Sequence, residues 1–454
     1  MIRRVEWIII FAILLAYLVL AGQYATRTPD WQAPDEPAHY NYVRQIADEG
    51  QLPVLKWGDW QQEYQDELTA SGFRPDLLDD LDTVQYEDHQ PPLYYLLQAP
   101  VYALSDGDLV TMRLFSALLG AGVILLTWFT LGALMPRWPG LACTGAAFVA
   151  FIPQHLSILA SVSNDALAEL VTAAVLLTVT VYLGAWRVGT NGPVRRVPPW
   201  VMGVLVGVAL LTKTTIYFLG GIAVMAVLLR ARRDEWKRPQ IAAHLAAVLI
   251  PALLIGGVWW VRNLVVYGDA DFMGLQRHNE ITLGQKRTDD YINVDLGGSE
   301  RQYLQNFVQT TFHSFWGQFG WMAIPMPTNV YRLLLVFSLG VISGFGVFLW
   351  RRNWQQQLNH NQGDVFVVFV AVIALVTAAH VLYNMDFVQF QGRYLYPMLI
   401  PLALIVAVGL YGWTALVEGY APALAWLPVT AMIGFAVFAW YALDTYIVPN
   451  LPAW

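Results

Sequence analysis

The sequence predicts an all-α polytopic membrane protein with about eleven transmembrane helices and an acidic first external loop carrying juxtamembrane helices. Three observations predict it. The 454 residues are 57% hydrophobic and 13% charged, with 19 Trp, a composition suited to lipid as solvent. Apolar stretches long enough to cross a bilayer, at roughly 20 residues per crossing, recur along the chain. Arg and Lys gather in alternate connections, which is the signature of cytoplasmic loops.

The elements follow in order. After Met1-Ile2-Arg3-Arg4 comes an apolar run at 5–22. Val19-Leu20-Ala21 resembles a signal-peptide cleavage site, but the run is long enough to span, so an uncleaved first helix is expected. Further runs fall at 109–134, 138–158, 164–186, 241–260, 329–350, 364–383, 394–417 and 422–448. Residues 91–104 are too short to cross comfortably and are expected to dip into the membrane. The region 200–230 is interrupted by Thr212-Lys213-Thr214-Thr215 and is expected to make two short crossings. This choice leaves Arg3, Arg4, Arg137, the loop holding Arg187, Arg195 and Arg196, the cluster at 230–238, Arg351 and Arg352 on the inside. The expectation is a multi-pass plasma-membrane protein, one membrane domain over 1–454, with a cytoplasmic N-terminus and an external C-terminus. The external loop 23–90, the segment Ser161 to Asp165, Lys213, the second external loop 262–327 and Gln389 to Arg393 then share the outer face.

Charge and cysteine usage narrow the chemistry. Residues 23–90 hold 15 acids against 4 basic residues, a local charge of minus 11 within a chain of minus 7, which argues against nucleic acid as a partner. The single cysteine, Cys143, excludes an internal disulfide. No zinc-ligand spacing, phosphate-binding glycine loop, nucleophile elbow or dinucleotide fingerprint occurs, so soluble nucleotide chemistry is not expected.

Where the chain first leaves the membrane it reads "PDEPAHYNYVRQIADEGQLP". Pro37 suits a first helical turn, and Gly50 and Pro53 stop the helix. His39, Tyr42, Val43 and Ile46 make an apolar stripe opposite Asn41, Arg44, Gln45, Asp48 and Glu49, as in a short helix lying on the membrane surface. One of Asp35 and Glu36 is enough to cap it. The other is a carboxylate available to accept a proton, as a general base must. The loop closes with "EDHQPPLYYLL", where Pro91 and Pro92 can only begin a helix and leave His89 at its mouth. Arg113, Lys213, Arg262 and Arg393 interrupt apolar sequence, where charge is costly. Arg262 is expected to reach for the interface, and the others form a set suited to phosphate. Asp165, with Asn164, reads either as a helix cap or as part of that set. The aromatic stretch at 310–322, with a lone His313, is read as an interfacial helix or as a wall for a sugar or an isoprenoid.

These motifs, in this order, resemble the GT-C superfamily of integral-membrane glycosyltransferases that use polyprenyl-phosphate sugars. "PDEPAHY" is similar to the Asp-Glu motif of protein O-mannosyltransferases, and "HQPPLYYLL" to their His-Pro-Pro-Leu segment and its counterpart in lipid A aminoarabinose transferases. "RLFSALLG", "SNDALA", "GVALLTK" and "QGRYLYPMLIPLAL" follow in the family order. The resemblance implies a GT-C-like fold with Asp35 as general base and Glu36 beside it. It also implies a binding set of His39, His89, Arg113, Asp165, Lys213, Arg393 and Tyr394, with the cations near the lipid phosphate. The expected reaction is an inverting transfer to an acceptor hydroxyl on the outer face, with a lipid-linked sugar as co-substrate and no metal, in a bacterial membrane. The chain departs from the family in having no soluble domain after the core and no second acidic pair, which puts a protein acceptor and a metal in doubt. Transport or flipping of a lipid-linked intermediate, or a non-catalytic membrane subunit, are the alternatives.

Overall fold

A computed structural model describes residues 2–138, 140–186, 196–351, 360–416 and 422–452. Arg187, Arg195 and Arg352 of the sequence-based topology lie outside the described residues. The helices are α1 Ile2–Arg27, α2 Glu36–Glu49, α3 Gln62–Ser71, α4 Leu93–Leu104, α5 Leu109–Leu134, α6 Leu141–Phe151, α7 Pro153–Leu159, α8 Asp165–Tyr182 and α9 Pro199–Leu210. They continue as α10 Leu219–Arg233, α11 Arg238–Tyr267, α12 Leu275–Ile281, the single turn α13 Thr288–Asp290, α14 Glu300–Trp316, α15 Thr328–Arg351, α16 His360–Asp386, α17 Leu399–Thr414 and α18 Leu427–Ala442. A two-residue antiparallel ribbon pairs Gln318–Phe319 with Ile324–Pro325.

Among the described residues nine helices are long and apolar enough to cross a membrane, and the bent pair α6–α7 would make a tenth. Helix α9, expected as one of two short crossings, has 12 residues and falls below that length by itself. The expected eleven therefore exceeds what length and composition support. The chain is a multi-pass helical membrane protein.

The α6–α7 bend of 68° has a local cause. Pro153 lacks the N–H that would bond Val149 O one turn back. The His155 ring fills the vacancy, Nδ1 lying 2.7 Å from that carbonyl, while Nε2 lies 2.6 Å from Glu169 Oε2 on α8. The break turns the chain so that the segment before α8 reaches into the first loop.

Between helices the bilayer supplies no hydrophobic drive, and close backbone approach takes over. Gly203 and Gly207 of α9 seat α11: a Cβ at 203 would stand 2.4 Å from Val248 O. Gly412 of α17 faces α15 in the same way, its Cβ position lying 2.1 Å from Gly344 O. Gly412→Ala should therefore force the pair apart and lower stability by about 1 to 3 kcal/mol, the usual cost of overpacking. A thermal melt of the purified protein reads this, and an unchanged midpoint would contradict it.

The first loop folds over the membrane domain with a small core of its own: Ala38, Leu68, Phe73, Val84 and Tyr86 are buried together. Asn41, expected on the solvent face of α2, is buried, and its amide donates to the carbonyls of Leu81 and Val84 at 2.8 and 2.9 Å. Helix α2 is thus packed between α4 and the first loop, with the Asn41 amide taken up by loop carbonyls. Loop one meets loop two where Trp60 Nε1 donates to Leu283 O at 2.9 Å, and where Arg262 reaches Pro53 O while stacking 4.6 Å over Trp259.

Candidate active site

Asp35 and Glu36, adjacent in sequence, part company in space. Asp35 occupies the N-cap position of α2 with φ 66°, in the left-handed region, and makes no capping bond. An N-cap normally needs an extended backbone to aim its oxygen at the helix; the left-handed turn, which Asp tolerates, sends the carboxylate elsewhere. Tyr86 OH donates to its Oδ1 at 2.8 Å, and Arg393 forms a short ion pair with its Oδ2.

Glu36 was expected as cap or neighbour at the site, and the structure corrects this. It is fully buried; Oε1 accepts from Arg113 Nε at 2.8 Å and Val162 N at 3.0 Å, and Oε2 from Arg113 Nη2 at 2.6 Å. Arg113 is corrected with it. Its remaining donors go to the carbonyls of Ala25, Thr28 and Pro29 at 3.1, 2.8 and 3.1 Å. A guanidinium has five N–H groups, and all are spent inside the protein, leaving none for a phosphate. The pair instead fastens the start of α2 to α5 and to the end of α1.

Lys213 sits in the break between α9 and α10, with an extended backbone (φ −161°). Its Nζ donates to Asp165 Oδ1 at 2.6 Å, and Asp165 Oδ2 lies 3.7 Å from Arg393 Nη1. Asp35, Arg393, Asp165 and Lys213 thus form a continuous chain of alternating charge. Arg393 is buried, and among the described residues its Nε, itself sealed from solvent, has no hydrogen-bond partner. Tyr394 lies under that guanidinium, 5.4 Å from ring centroid to Cζ. His39 Nδ1 is 2.9 Å from Tyr95 OH, which also accepts from Asn164 Nδ2 at 3.2 Å. Asn164 makes no capping bond to α8, and Asp165 belongs to the ion-pair chain, which settles the choice between cap and cluster.

Of the expected set, then, Asp35, His39, Asp165, Lys213, Arg393 and Tyr394 come together. His89 is set slightly apart: its Nδ1 lies 3.0 Å from Tyr86 O, and its ring packs 4.3 Å from that of His278 on α12. Burial draws both imidazoles down, to about 4 for His89 and about 3 for His278, so two neutral rings join the loops. Sequence reasoning passed over His278, Tyr86 and Glu87. Glu87 belongs to the turn Tyr86–His89, and its charge acts on His39, Asp35, Lys213 and Arg393. The acid opened the quoted loop-closing motif but carried no spacing that set it apart.

Electrostatics separates the carboxylates outside the helices. Burial works to raise Asp35, but the Arg393 guanidinium, aided by His39 and Tyr86, prevails and holds it at about 2. Glu87 goes the other way, raised by burial with Asp35 adding to it against the pull of His39. Asp88 is raised well above its ordinary range by burial, against a Gln45 amide at 3.0 Å. A raised carboxyl gives its stability below the unfolded-state value, near pH 4, and loses it as pH climbs through the folded value. Asp88→Asn should therefore stabilise at neutral pH by about 1 to 3 kcal/mol, with the gain vanishing below about pH 4. Melts across that range check it; an equal gain at every pH would refute it.

Beside the charged cluster runs an apolar groove of about 410 Å³ between α14, α15, α16 and α17. Phe307, Phe312, Phe315, Trp316 and Phe337 line it, and His380 stands at its head, 6.2 Å from the Tyr394 ring. The aromatic stretch after Thr310 is thus a wall of this groove, while His313 stacks on Tyr331 outside it at 3.6 Å. Gly392 lets the segment before Arg393 touch α14 directly: a Cβ there would lie 2.3 Å from Phe315 N and 2.4 Å from Thr311 O.

Comparisons with known proteins agree with this architecture. The profile of a family described as predicted membrane protein (DUF2142) matches residues 79–402. No curated protein matches the chain. Among solved structures, archaeal oligosaccharyltransferase AglB from Archaeoglobus fulgidus, in complex with an inhibitory peptide and a dolichol-phosphate, aligns at 12% identity with TM-score 0.51, covering 96% of this chain and 56% of that one. The same archaeal enzyme tethered with an acceptor peptide containing the NVT sequon aligns at 12% identity with TM-score 0.50, covering 95% and 54%. ArnT from Cupriavidus metallidurans bound to undecaprenyl phosphate aligns at 14% identity with TM-score 0.49, covering 98% and 73%. The present chain thus spans a little over half of the archaeal enzyme. At such identities the likeness is one of fold, and that fold is GT-C.

Proposed function

From the premise that the chain belongs to the DUF2142 family of predicted membrane proteins, we infer that it is an inverting glycosyltransferase. It moves a sugar from a polyprenyl-phosphate donor to an acceptor hydroxyl on the outer face of a bacterial plasma membrane. One observation carries this reading: Lys213 and Arg393 form a buried cationic pair, and the segment Arg393-Tyr394 continues at Leu395 into the wall of an aromatic apolar groove. A lipid with a phosphate head and an isoprenoid tail has both features in the same order. The archaeal structure of similar fold holds a dolichol-phosphate, a lipid of that class.

In the reaction the phosphate replaces the Asp165 carboxylate as the partner of Lys213 and Arg393, and Tyr394 supports the guanidinium face. The tail lies along Phe312, Phe315 and Trp316. The acceptor oxygen attacks the anomeric carbon from the side opposite the phosphate, and a carboxylate near Asp35 takes its proton. The two cations stabilise charge growing on the leaving phosphate, where preorganised donors have their largest effect. With that charge supplied by side chains, the mechanism needs no metal.

The test is purified protein in nanodiscs given undecaprenyl phosphate, then a panel of undecaprenyl-phosphate sugars with water or sugar acceptors. Saturable binding and release of undecaprenyl phosphate are expected. Binding with no transfer, alongside movement of the lipid between leaflets in proteoliposomes, would favour a flippase. Absence of binding would remove the reading altogether.

A further inference from the structure

Asp35 is a constrained candidate for the proton-accepting role. Both its oxygens are engaged, one by the Tyr86 hydroxyl and one by Arg393, and a carboxylate so neutralised accepts a proton poorly. Glu87 is placed differently. It follows Tyr86 on the same short turn, so it enters the cluster from the side of the first loop. The charges acting on it are His39, Asp35, Lys213 and Arg393, and for His39 in turn Glu87 is the foremost charge. Among the described residues no N–H or O–H donates to its carboxylate, and its side chain is half-buried rather than sealed. Glu87 is thus a carboxylate with no hydrogen-bond donor among the described residues, within the electrostatic reach of His39, Asp35, Lys213 and Arg393.

We propose that Glu87 is the general base of the transfer and that Asp35 is a positioning residue, holding Arg393 and Tyr86 in place. This rests on the glycosyltransferase reading above. In the step, a lone pair of the acceptor hydroxyl forms the bond to the anomeric carbon, and Glu87 takes the hydroxyl proton. The bond from the anomeric carbon to the phosphate oxygen breaks, its electron pair staying on the phosphate between Lys213 and Arg393. Protonated Glu87 then returns its proton to water. Burial raises the affinity of Glu87 for protons while Arg393 holds that of Asp35 low, so of the two carboxylates Glu87 is the better proton acceptor. Two carboxylates driven apart by their surroundings, one clamped and one free, divide the work as such pairs do elsewhere.

The experiment compares wild type, Glu87→Gln and Asp35→Asn as full-length protein in nanodiscs. Undecaprenyl phosphate binding to wild type tests the underlying reading, independently of Glu87. Given that binding, Glu87→Gln should leave it within about twofold while lowering kcat on a productive donor by roughly 10² to 10⁴, with loss of the acidic limb of the kcat profile. Asp35→Asn should weaken binding or raise KM and keep that limb. An infrared titration supplies a readout free of turnover: beside the band of Asp88, which stays in every variant, a second carboxylic acid band that disappears above the ordinary carboxylate range should be lost in Glu87→Gln and persist in Asp35→Asn. Full turnover with an intact acidic limb in Glu87→Gln, or transfer of that loss to Asp35→Asn, would overturn the assignment.

Discussion

Arg113→Ala should be the most damaging single change to the folded protein, lowering stability by about 3 to 5 kcal/mol. The size follows from what is left behind. Arg113 and Glu36 are 1% and 0% exposed at their side chains, so removing the cation strands a carboxylate with only Val162 N as partner. Three carbonyls, of Ala25, Thr28 and Pro29, lose their donor as well. Arg113→Lys should rescue little, since one ammonium cannot reach five acceptors in a fixed fork. The double variant Arg113→Met with Glu36→Gln should recover part of the loss by removing the buried charge from both sides. Size-exclusion melts of detergent-purified protein measure this. A single variant as stable as wild type would mean that the pair is dispensable.

Arg393→Ala should have the largest effect on activity, lowering kcat by roughly 10² to 10³, as loss of one preorganised charge donor does. It should also weaken undecaprenyl phosphate binding. Arg393 is bound to Asp35 and approaches Asp165, so its removal dissolves the chain of alternating charge and releases two carboxylates beside the proposed phosphate site. Lys213→Ala should cost less, because among the described residues the Lys213 ammonium pairs with Asp165 alone and Arg393 remains at the proposed phosphate site. Arg393→Lys separates charge from shape: it keeps the cation but not the fork, and intermediate activity is expected. Turnover of Arg393→Ala equal to wild type would place the phosphate elsewhere.

Much of this fold could be read from the chain because lipid imposes a length on apolar runs, and the expected runs outside 138–158 and 200–230 are each met by one helix of spanning length. What could not be read was the break within 138–158. Pro153 was visible there, but a proline in an apolar run kinks a helix by an amount its neighbours decide, and the neighbour is a His155 ring bonded to Glu169. The members of the site were largely visible too, since charges at membrane depth are few. Their pairing was not. Asp35 and Glu36 are consecutive, and only the left-handed backbone of Asp35 determines which meets Arg393 and which is sealed against Arg113, 77 positions away. Glu87 stayed hidden because it is one of many acids in an acidic loop, distinguished only by what surrounds it.

The contact at Gly392 bears on the proposed lipid site. Its Cα sits where peptide meets peptide, with Thr311 O and Phe315 N in the space any side chain would fill. The backbone that carries Arg393 and the helix that carries Phe315 are therefore held in direct contact. Under the proposed lipid reading, this backbone contact sets the spacing between the headgroup and the first carbons of the tail, and any side chain at position 392 widens it.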